Sequence, residues 1–375
     1  MDEFELKDPW HYPRPKLAEK YLKVFEIGLI AAQGLFAKRR MGKSEFLEKD
    51  LLPAARRQGY FTAYVNLWDA REHPASSLIA ALTLSFEPRG MAKLVKTLKT
   101  PLKKVKASAK FTALAEGSLE AQLVDDPVVT GPQLSGLLRG FNNPKKRLLL
   151  VLDEAQVLAD AVHSDLAHSL RAGLDSRKDT IKVVFAGSSE PTLRRMFGRS
   201  SEPFYNWAAL EPFELLGDEF VKDMVVKVKR LSRFALSLPE ALDAYAVLKS
   251  TPEFFRRYLN RYLTHAQLGS KAALEYTLEH VLSDSNFLPA FKRLLPADQA
   301  ILKLLANGES DVYSESTRRR VGIAIGTEQP ITKGTSSAAL KRLQEGGLIL
   351  KFEHGLYQIQ DDALADWLRN QELDE

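Results

Sequence analysis

Two segments of the chain are strand-like and apolar along almost their whole length, namely residues 147–152 and 181–187. Strands of this kind lie inside parallel sheets, because helices cover both faces of such sheets. Further strands are predicted at residues 60–67 and in the segment that ends at Phe36. Helical spacing is found at residues 16–26, 44–58, 75–86, 133–141 and 165–174. This alternation predicts an α/β domain over residues 1–215.

Two more domains are predicted behind this sheet. Residues 216–283 show only helical spacing and predict a small helical domain. The remaining elements are a helix at residues 297–305, a polar stretch, a helix at residues 336–344, and strands at residues 348–352 and 356–359 around Glu353, His354 and Gly355. Helices followed by a two-stranded hairpin are typical of a winged-helix domain, here residues 284–375.

The composition narrows the class of protein. The chain has no Cys, which excludes disulfides, thiolate nucleophiles and Cys-ligated metal sites. Its N-terminus lacks the basic start and apolar core of a signal peptide, and its apolar stretches fall short of the ~20 residues of a membrane helix. A soluble cytoplasmic protein with no membrane contact is therefore expected.

One segment matches a phosphate-binding loop with one substitution. It consists of Ala37, Lys38, Arg39, Arg40, Met41, Gly42, Lys43 and Ser44, between a predicted strand and a predicted helix. In the pattern G-x-x-x-x-G-K-[ST], Ala37 stands at the first glycine. Loop N–H groups would surround the phosphates, Lys43 would reach the β- and γ-phosphates, and Ser44 would bind Mg²⁺. The segment predicts a site for ATP with Mg²⁺.

A pair of carboxylates follows the apolar strand at residues 147–152. Asp153 and Glu154 would lie at the carboxyl edge of the sheet, where nucleotide hydrolases carry acidic groups. Asp153 is predicted to hold the Mg²⁺ shell through water, and Glu154 to polarise the attacking water as general base. With the preceding loop, this pair predicts nucleotide hydrolysis.

Polar and basic residues after the strand at residues 181–187 extend the candidate site. Ser188 is predicted to orient the attacking water, although turn chemistry alone also explains a serine there. Arg194, Arg195 and Arg199 follow on the next helix. One of them, with Arg194 and Arg199 as the leading candidates, would act on a neighbouring subunit's nucleotide; the alternative is a set of solvated salt bridges.

With these residues the chain resembles the AAA+ ATPases, and within them the archaeal-type and STAND-like ATPases related to origin-recognition proteins. The resemblance rests on the loop with its double arginine, on Asp153-Glu154-Ala155-Gln156 and on Gly187-Ser188-Ser189, and it covers most of the chain. It implies a P-loop parallel-sheet core, a helical lid and a C-terminal winged-helix domain. It also implies that Asn66 restrains Glu154 and that Arg256 or Arg257 is the sensor arginine of the lid.

Basic residues are concentrated in two parts of the chain. Residues 87–110 hold eight Lys or Arg and one acid, a net charge of +7, against +5 for the whole chain. Period-two alternation on both sides of Gly117 predicts a hairpin inserted within residues 87–126. Its basic face carries Lys104, Lys106 and Lys110. Such a face either follows a DNA backbone without reading its sequence or is simply solvated.

The second basic surface is predicted on the last winged-helix helix. The residues expected to face outward are Ser336, Ser337, Lys341 and Arg342, and those expected inward are Ala339, Leu340 and Leu343. With Arg318, Arg319 and Arg320 nearby in sequence, this helix would enter a DNA groove. The alternative is that the winged helix docks a protein partner.

Two functions follow from these patterns. The first is an ATP-hydrolysing switch that binds DNA, assembles on ATP into a homo-oligomer, and acts in replication, transposition or mobile-element biology. The second is a slow, STAND-like signalling or scaffold ATPase whose winged helix contacts protein. The response of ATP hydrolysis to DNA distinguishes them.

Overall fold

A computed structural model of the protein describes residues 8–69, 73–86, 127–282, 287–353, 356–359 and 362–370. Contacts divide the chain into two compact units. One comprises residues 13–37 and 43–214, and the other comprises residues 1–12, 38–42 and 215–375. The predicted basic hairpin with Lys104, Lys106 and Lys110 lies outside the described residues.

The first unit contains a five-stranded parallel sheet. Its strands are β1 (Ala32–Phe36), β2 (Phe61–Asn66), β3 (Leu148–Asp153), β4 (Ile181–Gly187) and β5 (Ala209–Pro212). They are arranged in the order β2-β3-β4-β1-β5, and every neighbouring pair is parallel. Both β3 and β4 are buried along their full length, as their apolar sequences predict. The predicted α/β class and parallel sheet are confirmed.

Helices connect the strands of this sheet. They are α1 (Pro15–Glu26), α2 (Lys43–Phe46), α3 (Leu52–Arg57), α4 (Pro74–Leu84), α5 (Pro127–Arg139), α6 (Ser164–Asp175) and α7 (Glu190–Gly198). A π-helical turn, Leu47–Leu51, joins α2 to α3, so that one helical stretch follows the loop after β1. Apolar residues of β3, β4, α4 and α5, among them Leu150, Phe185, Leu82 and Leu138, share one buried core.

The strand register brings three connections to the same edge of the sheet. Phe36 pairs with Gly187, and Asn66 pairs with Asp153. Because all strands are parallel, their carboxyl ends lie along one edge, where ligands bind in open α/β sheets. The loop that follows Phe36, the turn at Glu154 and the turn at Ser188 all begin at this edge.

The second unit is mainly helical. Its elements are α8 (Asp218–Leu231), α9 (Leu238–Val247), α10 (Pro252–Thr264), α11 (Gly269–Leu282), α12 (Phe287–Lys292), α13 (Pro296–Ala306), α14 (Glu315–Ala324), α15 (Lys333–Glu345), β6 (Ile349–Glu353), β7 (Leu356–Ile359) and α16 (Asp362–Asn370). One core surrounds Phe220 and Phe255, and a separate one surrounds Ile301 and Leu340. Within the described ranges, every helix is too short or too polar to span a membrane.

Candidate nucleotide site

Asp153 is the centre of a polar cluster at the carboxyl edge of the sheet, and its side chain is only 1% exposed. The hydroxyl of Ser44 donates to Oδ2, and the hydroxyl of Tyr64 donates to the same oxygen at 3.1 Å. The backbone N–H of Glu154 donates to Oδ1 at 2.9 Å. The ammonium nitrogen of Lys43 lies 3.3 Å from Oδ1. Both oxygens of this buried carboxylate are therefore compensated, as burial of a charge requires.

Lys43 lies between the two carboxylates that the sequence assigns to hydrolysis. Its side chain is 6% exposed, and Nζ lies 3.9 Å from Oε1 of Glu154 as well as 3.3 Å from Asp153. The residue is the first of α2, where backbone N–H groups without helical partners favour an anion. An ammonium with three donors at this position is suited to bind phosphate oxygens.

Glu154 is held by two side chains that the sequence analysis did not assign to it. Its backbone is left-handed, with φ 52°, at the turn that follows β3. Its Oε2 accepts a hydrogen bond from Ser188 Oγ at 2.7 Å and another from Gln156 Nε2. The polar groups predicted around the attacking water are thus in direct contact, and Gln156 joins them.

Asn66 does not restrain Glu154, and the expectation drawn from the family resemblance is wrong here. Its amide donates to Asp69 Oδ1 at 2.8 Å, and its Oδ1 accepts from the backbone N–H of Trp68 at 3.0 Å. The side chain therefore caps the turn that follows β2. Both of its polar ends are used within three residues of its own position.

In the predicted phosphate-binding loop, Ala37 replaces the first glycine of the pattern at a position where a methyl group fits. The N–H of Ala37 donates to the carbonyl of Gly187 at 3.3 Å, so Ala37 extends the pairing of β1 with β4. That role is open to any residue in an extended backbone. Gly42 has φ 79°, in the left-handed region that favours glycine. The other loop residues are Lys38, which is exposed, Arg39, which is half-buried, and Met41, which is buried.

Within the second unit, one loop arginine contacts α10. Arg40 has φ 68°, which a non-glycine residue adopts only when its surroundings hold it. Its guanidinium lies 5.2 Å from the ring centre of Phe254 and 3.7 Å from Glu253. Arg256, on the same helix, forms a 3.0 Å ion pair with Asp8. Arg257, the other candidate for the sensor arginine, pairs with Glu253 at 2.8 Å, so both candidates have partners within the second unit.

The three arginines after β4 differ in their surroundings. Arg194 pairs with Glu190 on the exposed face of α7. Arg195 donates to the carbonyl of Ala159 at 2.8 Å and lies 3.3 Å from Glu202, so it links parts of its own chain. Arg199 is exposed where α7 ends.

The residues predicted to hold magnesium suit that ion. Mg²⁺ takes oxygen ligands, and the hydroxyl of Ser44 contacts the carboxylate of Asp153. Tyr64, which sequence reasoning missed, donates to the same carboxylate. Burial, followed by the charges of Asp153 and Glu48, raises the pKa of Tyr64, so its hydroxyl remains a donor to Asp153. The sequence indicates Tyr64 only as a polar side chain near the carboxyl end of β2.

The basic surface predicted on α15 is smaller than expected. Ser336 is buried, because it shares the inward face with Ala339 and Leu340, and its outward assignment is wrong. Arg342 donates to both carboxylate oxygens of Asp298, at 2.9 and 2.6 Å, and Asp298 is buried. Arg342 therefore has a partner within the chain, although its side chain is 41% exposed and faces outward as predicted. Lys341 is 77% exposed.

The three arginines of α14 also have partners within the chain. Arg318 donates to the backbone carbonyls of Tyr313 and Ile331, at 3.2 and 2.9 Å. Arg320 pairs with Glu309, and Arg319 lies 4.0 Å from Glu315; their side chains are 51% and 62% exposed. Arg319, Arg320, Lys333, Lys341 and Arg342 are all exposed and so remain accessible to a polyanion.

Replacing Arg342 by alanine is expected to lower the free energy of unfolding by about 1–3 kcal/mol, because it leaves the buried Asp298 carboxylate without its donors. Chemical unfolding followed by tryptophan fluorescence measures this change. The matched variant Lys341→Ala removes one exposed charge and is expected to change stability by less than about 0.5 kcal/mol. Equal stability of both variants would contradict the structural role of Arg342.

Comparison with solved structures places the fold in a class. The chain has the fold of AAA+ ATPases related to origin-recognition proteins, which confirms the resemblance at the level of the fold. It is similar to the Walker-type ATPase of Pyrococcus abyssi, with 19% identity, 96% of this chain and 99% of that chain covered, and a TM-score of 0.55. Neither a protein-family model nor a curated relative matches the chain.

A second similar protein is ORC2 of Aeropyrum pernix. Its structure described as ADPNP–ADP complexes has 15% identity, covers 98% of this chain and 99% of that chain, and has a TM-score of 0.52. Its ADP form has 16% identity, 95% and 92% coverage, and a TM-score of 0.51. At these identities the likeness concerns the fold.

Proposed function

We propose that this protein is an AAA+ ATPase that hydrolyses ATP and acts as a switch on DNA. The observation that carries the proposal is the cluster of Lys43, Ser44, Asp153 and Glu154 at the carboxyl edge of a parallel sheet. The ORC2 structures with the same fold are described with ADP or ADPNP, which supports a nucleotide as the ligand. ATP binding and turnover, measured on the wild type and on the variants in the Discussion, test it.

Each residue of the cluster has one task in this proposal. Lys43 exchanges its carboxylate partners for the β- and γ-phosphates. Ser44 and Asp153 hold Mg²⁺, which supplies charge neutralisation at the phosphates when bound. Glu154 accepts a proton from the attacking water, and Ser188 orients that water. Each domain also has its own role in this proposal. Residues 1–215 hold the site, residues 216–283 form a lid with Arg256, and residues 284–375 form a winged-helix domain.

Assembly through ATP is the second part of the proposal, and Arg199 is the chosen finger. Arg195 already binds Ala159 and Glu202, and Arg194 pairs with Glu190 on its own helix. Arg199 is exposed where α7 ends, and in this proposal its side chain acts on a neighbouring subunit's nucleotide.

Arg199→Ala is expected to lower ATP hydrolysis by about 1000-fold while leaving ATP affinity unchanged, because a finger stabilises only transition-state charge. Mixing two variants shows whether the arginine acts between subunits. Arg199→Ala subunits keep their base and Glu154→Gln subunits keep their finger, so a mixture of the two is expected to regain activity. Light scattering with and without ATP measures the oligomer. A strict monomer, or a mixture that stays inactive, would count against assembly.

DNA binding is the third part, and it is expected to be mainly electrostatic. The slope of log affinity against log salt is about −0.9 per phosphate neutralised. Replacing Lys104, Lys106 and Lys110 together should flatten the slope by up to ~3 units, and Lys341→Ala by about 0.9. Lys271→Ala, at a side chain that is 91% exposed on α11, is the matched control. Unchanged slopes in both test variants would contradict DNA binding by these surfaces.

A signalling or scaffold ATPase is the second candidate, and one observation favours it. Arg318, Arg320 and Arg342 have partners within the chain, so part of the positive charge of the C-terminal region is already used before any DNA binds. In that case the winged helix contacts protein and hydrolysis is slow. A cytoplasmic location suits both candidates.

A further inference from the structure

Gln156 connects the two side chains that the proposed site places beside the attacking water. Its Nε2 donates to Glu154 Oε2 and, at 3.1 Å, to Ser188 Oγ. Ser188 Oγ in turn donates to Glu154 Oε2 at 2.7 Å. The three side chains form a closed triangle of hydrogen bonds. Gln156 is 4% exposed, on the 3₁₀ turn Ala155–Ala159 that follows Glu154.

The orientation of this amide follows from the hydrogen bonds of its NH₂ group to Glu154 and Ser188. An ionised carboxylate only accepts hydrogen bonds, so the NH₂ group of Gln156 has to face Glu154. The amide oxygen lies on the opposite side, against Gly187. A methyl group on Gly187 would come within 2.3 Å of that oxygen and 2.9 Å of Leu193. A side chain at Gly187, the last residue of β4, would therefore displace the amide of Gln156.

We propose that Gln156 is the positioning residue of this ATPase site. It fixes the carboxylate of Glu154 and the hydroxyl of Ser188 relative to each other, a task that the family resemblance gave to Asn66. This inference rests on the proposed ATPase function. Gln156 itself contacts neither Lys43 nor Ser44 through the hydrogen bonds found here, so its amide acts on turnover rather than on nucleotide affinity.

The effect on turnover follows from geometry. Without the amide, Glu154 keeps only the hydroxyl of Ser188 and the neighbouring ammonium of Lys43, and its carboxylate gains freedom to rotate. A displacement of about 1 Å of a reacting group lowers a rate by up to about 100-fold. Binding of ATP through the loop and Lys43 is unaffected by that rotation.

The test uses a substitution that keeps the shape of the side chain. Gln156→Met retains length and removes both donors, and we expect kcat for ATP to fall about 10- to 100-fold with KM unchanged. Thermal unfolding and binding of a fluorescent ATP analogue are expected to match the wild type. Asn66→Ala is the matched control, because that side chain caps a turn, and its kcat should stay within about twofold of the wild type.

Gly187→Ala tests the same contact from the other side. The added methyl displaces the amide oxygen, so kcat should fall as in Gln156→Met, again with KM unchanged. The double variant should lose no more than the worse single variant, because both changes act through one amide.

The outcomes separate the inference from the function on which it rests. If the wild type hydrolyses ATP and Gln156→Met keeps or raises its kcat, Gln156 is not a positioning residue and the ATPase function stands. If KM rises while kcat is unchanged, the residue acts on binding and the inference is likewise wrong. If the purified wild type has no turnover with ATP and Mg²⁺, the proposed function fails, and the inference fails with it.

Discussion

Replacing Lys43 by alanine is expected to abolish ATP binding. The ammonium lies at the first position of α2, beside Asp153 and Glu154, and in the proposed site it binds the β- and γ-phosphates. Two hydrogen bonds to charged groups are worth about 3 kcal/mol or more, and each 1.4 kcal/mol is a factor of ten in affinity. Calorimetric titration should therefore show a loss of about 100-fold or more.

The control for Lys43 is a lysine on the same helical stretch. Lys49 pairs with Glu45 at 3.0 Å on the surface, so Lys49→Ala removes the same charge away from the cluster. Its ATP affinity should equal that of the wild type. Equal affinity in Lys43→Ala and wild type would show that the loop is not the nucleotide site.

Glu154→Gln is expected to keep ATP binding and lose hydrolysis. The amide has the shape of the carboxylate and cannot accept a proton from water, and a general base contributes about 100- to 10,000-fold to a rate. Turnover should fall by that amount, while calorimetric affinity for ATP stays the same. Single-turnover measurement with radiolabelled ATP separates the chemical step from product release.

Glu190→Gln is the control for this change, because Glu190 is exposed on α7 and pairs with Arg194. It removes one carboxylate outside the cluster and should leave the chemical step unchanged. A Glu154→Gln variant that hydrolyses ATP at the wild-type rate would mean that another group activates the water.

The sequence predicted most of the sheet because burial leaves a strong pattern. β3 and β4 are apolar on both faces, and β2 alternates between buried and half-buried positions. β5 was missed because it has four residues, is mostly exposed and ends at Pro212, so its sequence resembles a loop. α14 lies in a stretch that is polar except for a few residues such as Val321, and weak periodicity gives it little signal.

The sequence predicted those residues of the candidate site that directly follow a strand or begin a helix. Lys43, Asp153 and Glu154 meet because the sheet is parallel and its carboxyl ends coincide. The partners of Glu154 could not be predicted in the same way. Whether Asn66 or Gln156 reaches a carboxylate depends on the direction of a side chain in a turn, which spacing does not encode.

The direction of side chains on α15 could not be predicted from spacing either. A serine is small enough for either face of a helix, and Ser336 is buried beside Ala339 and Leu340. An arginine is predicted as a DNA contact by its charge alone. The structure gives Arg342 an internal partner, Asp298, which lies 44 residues earlier in the chain.

The most direct measurement of the central claim is the rate of ATP hydrolysis by the wild-type protein, with and without duplex DNA, at low salt. We expect magnesium-dependent turnover that DNA stimulates several-fold or more and that Glu154→Gln abolishes. Turnover indifferent to DNA at every concentration would contradict the DNA switch and favour the scaffold ATPase. No turnover under either condition would contradict the ATPase site itself.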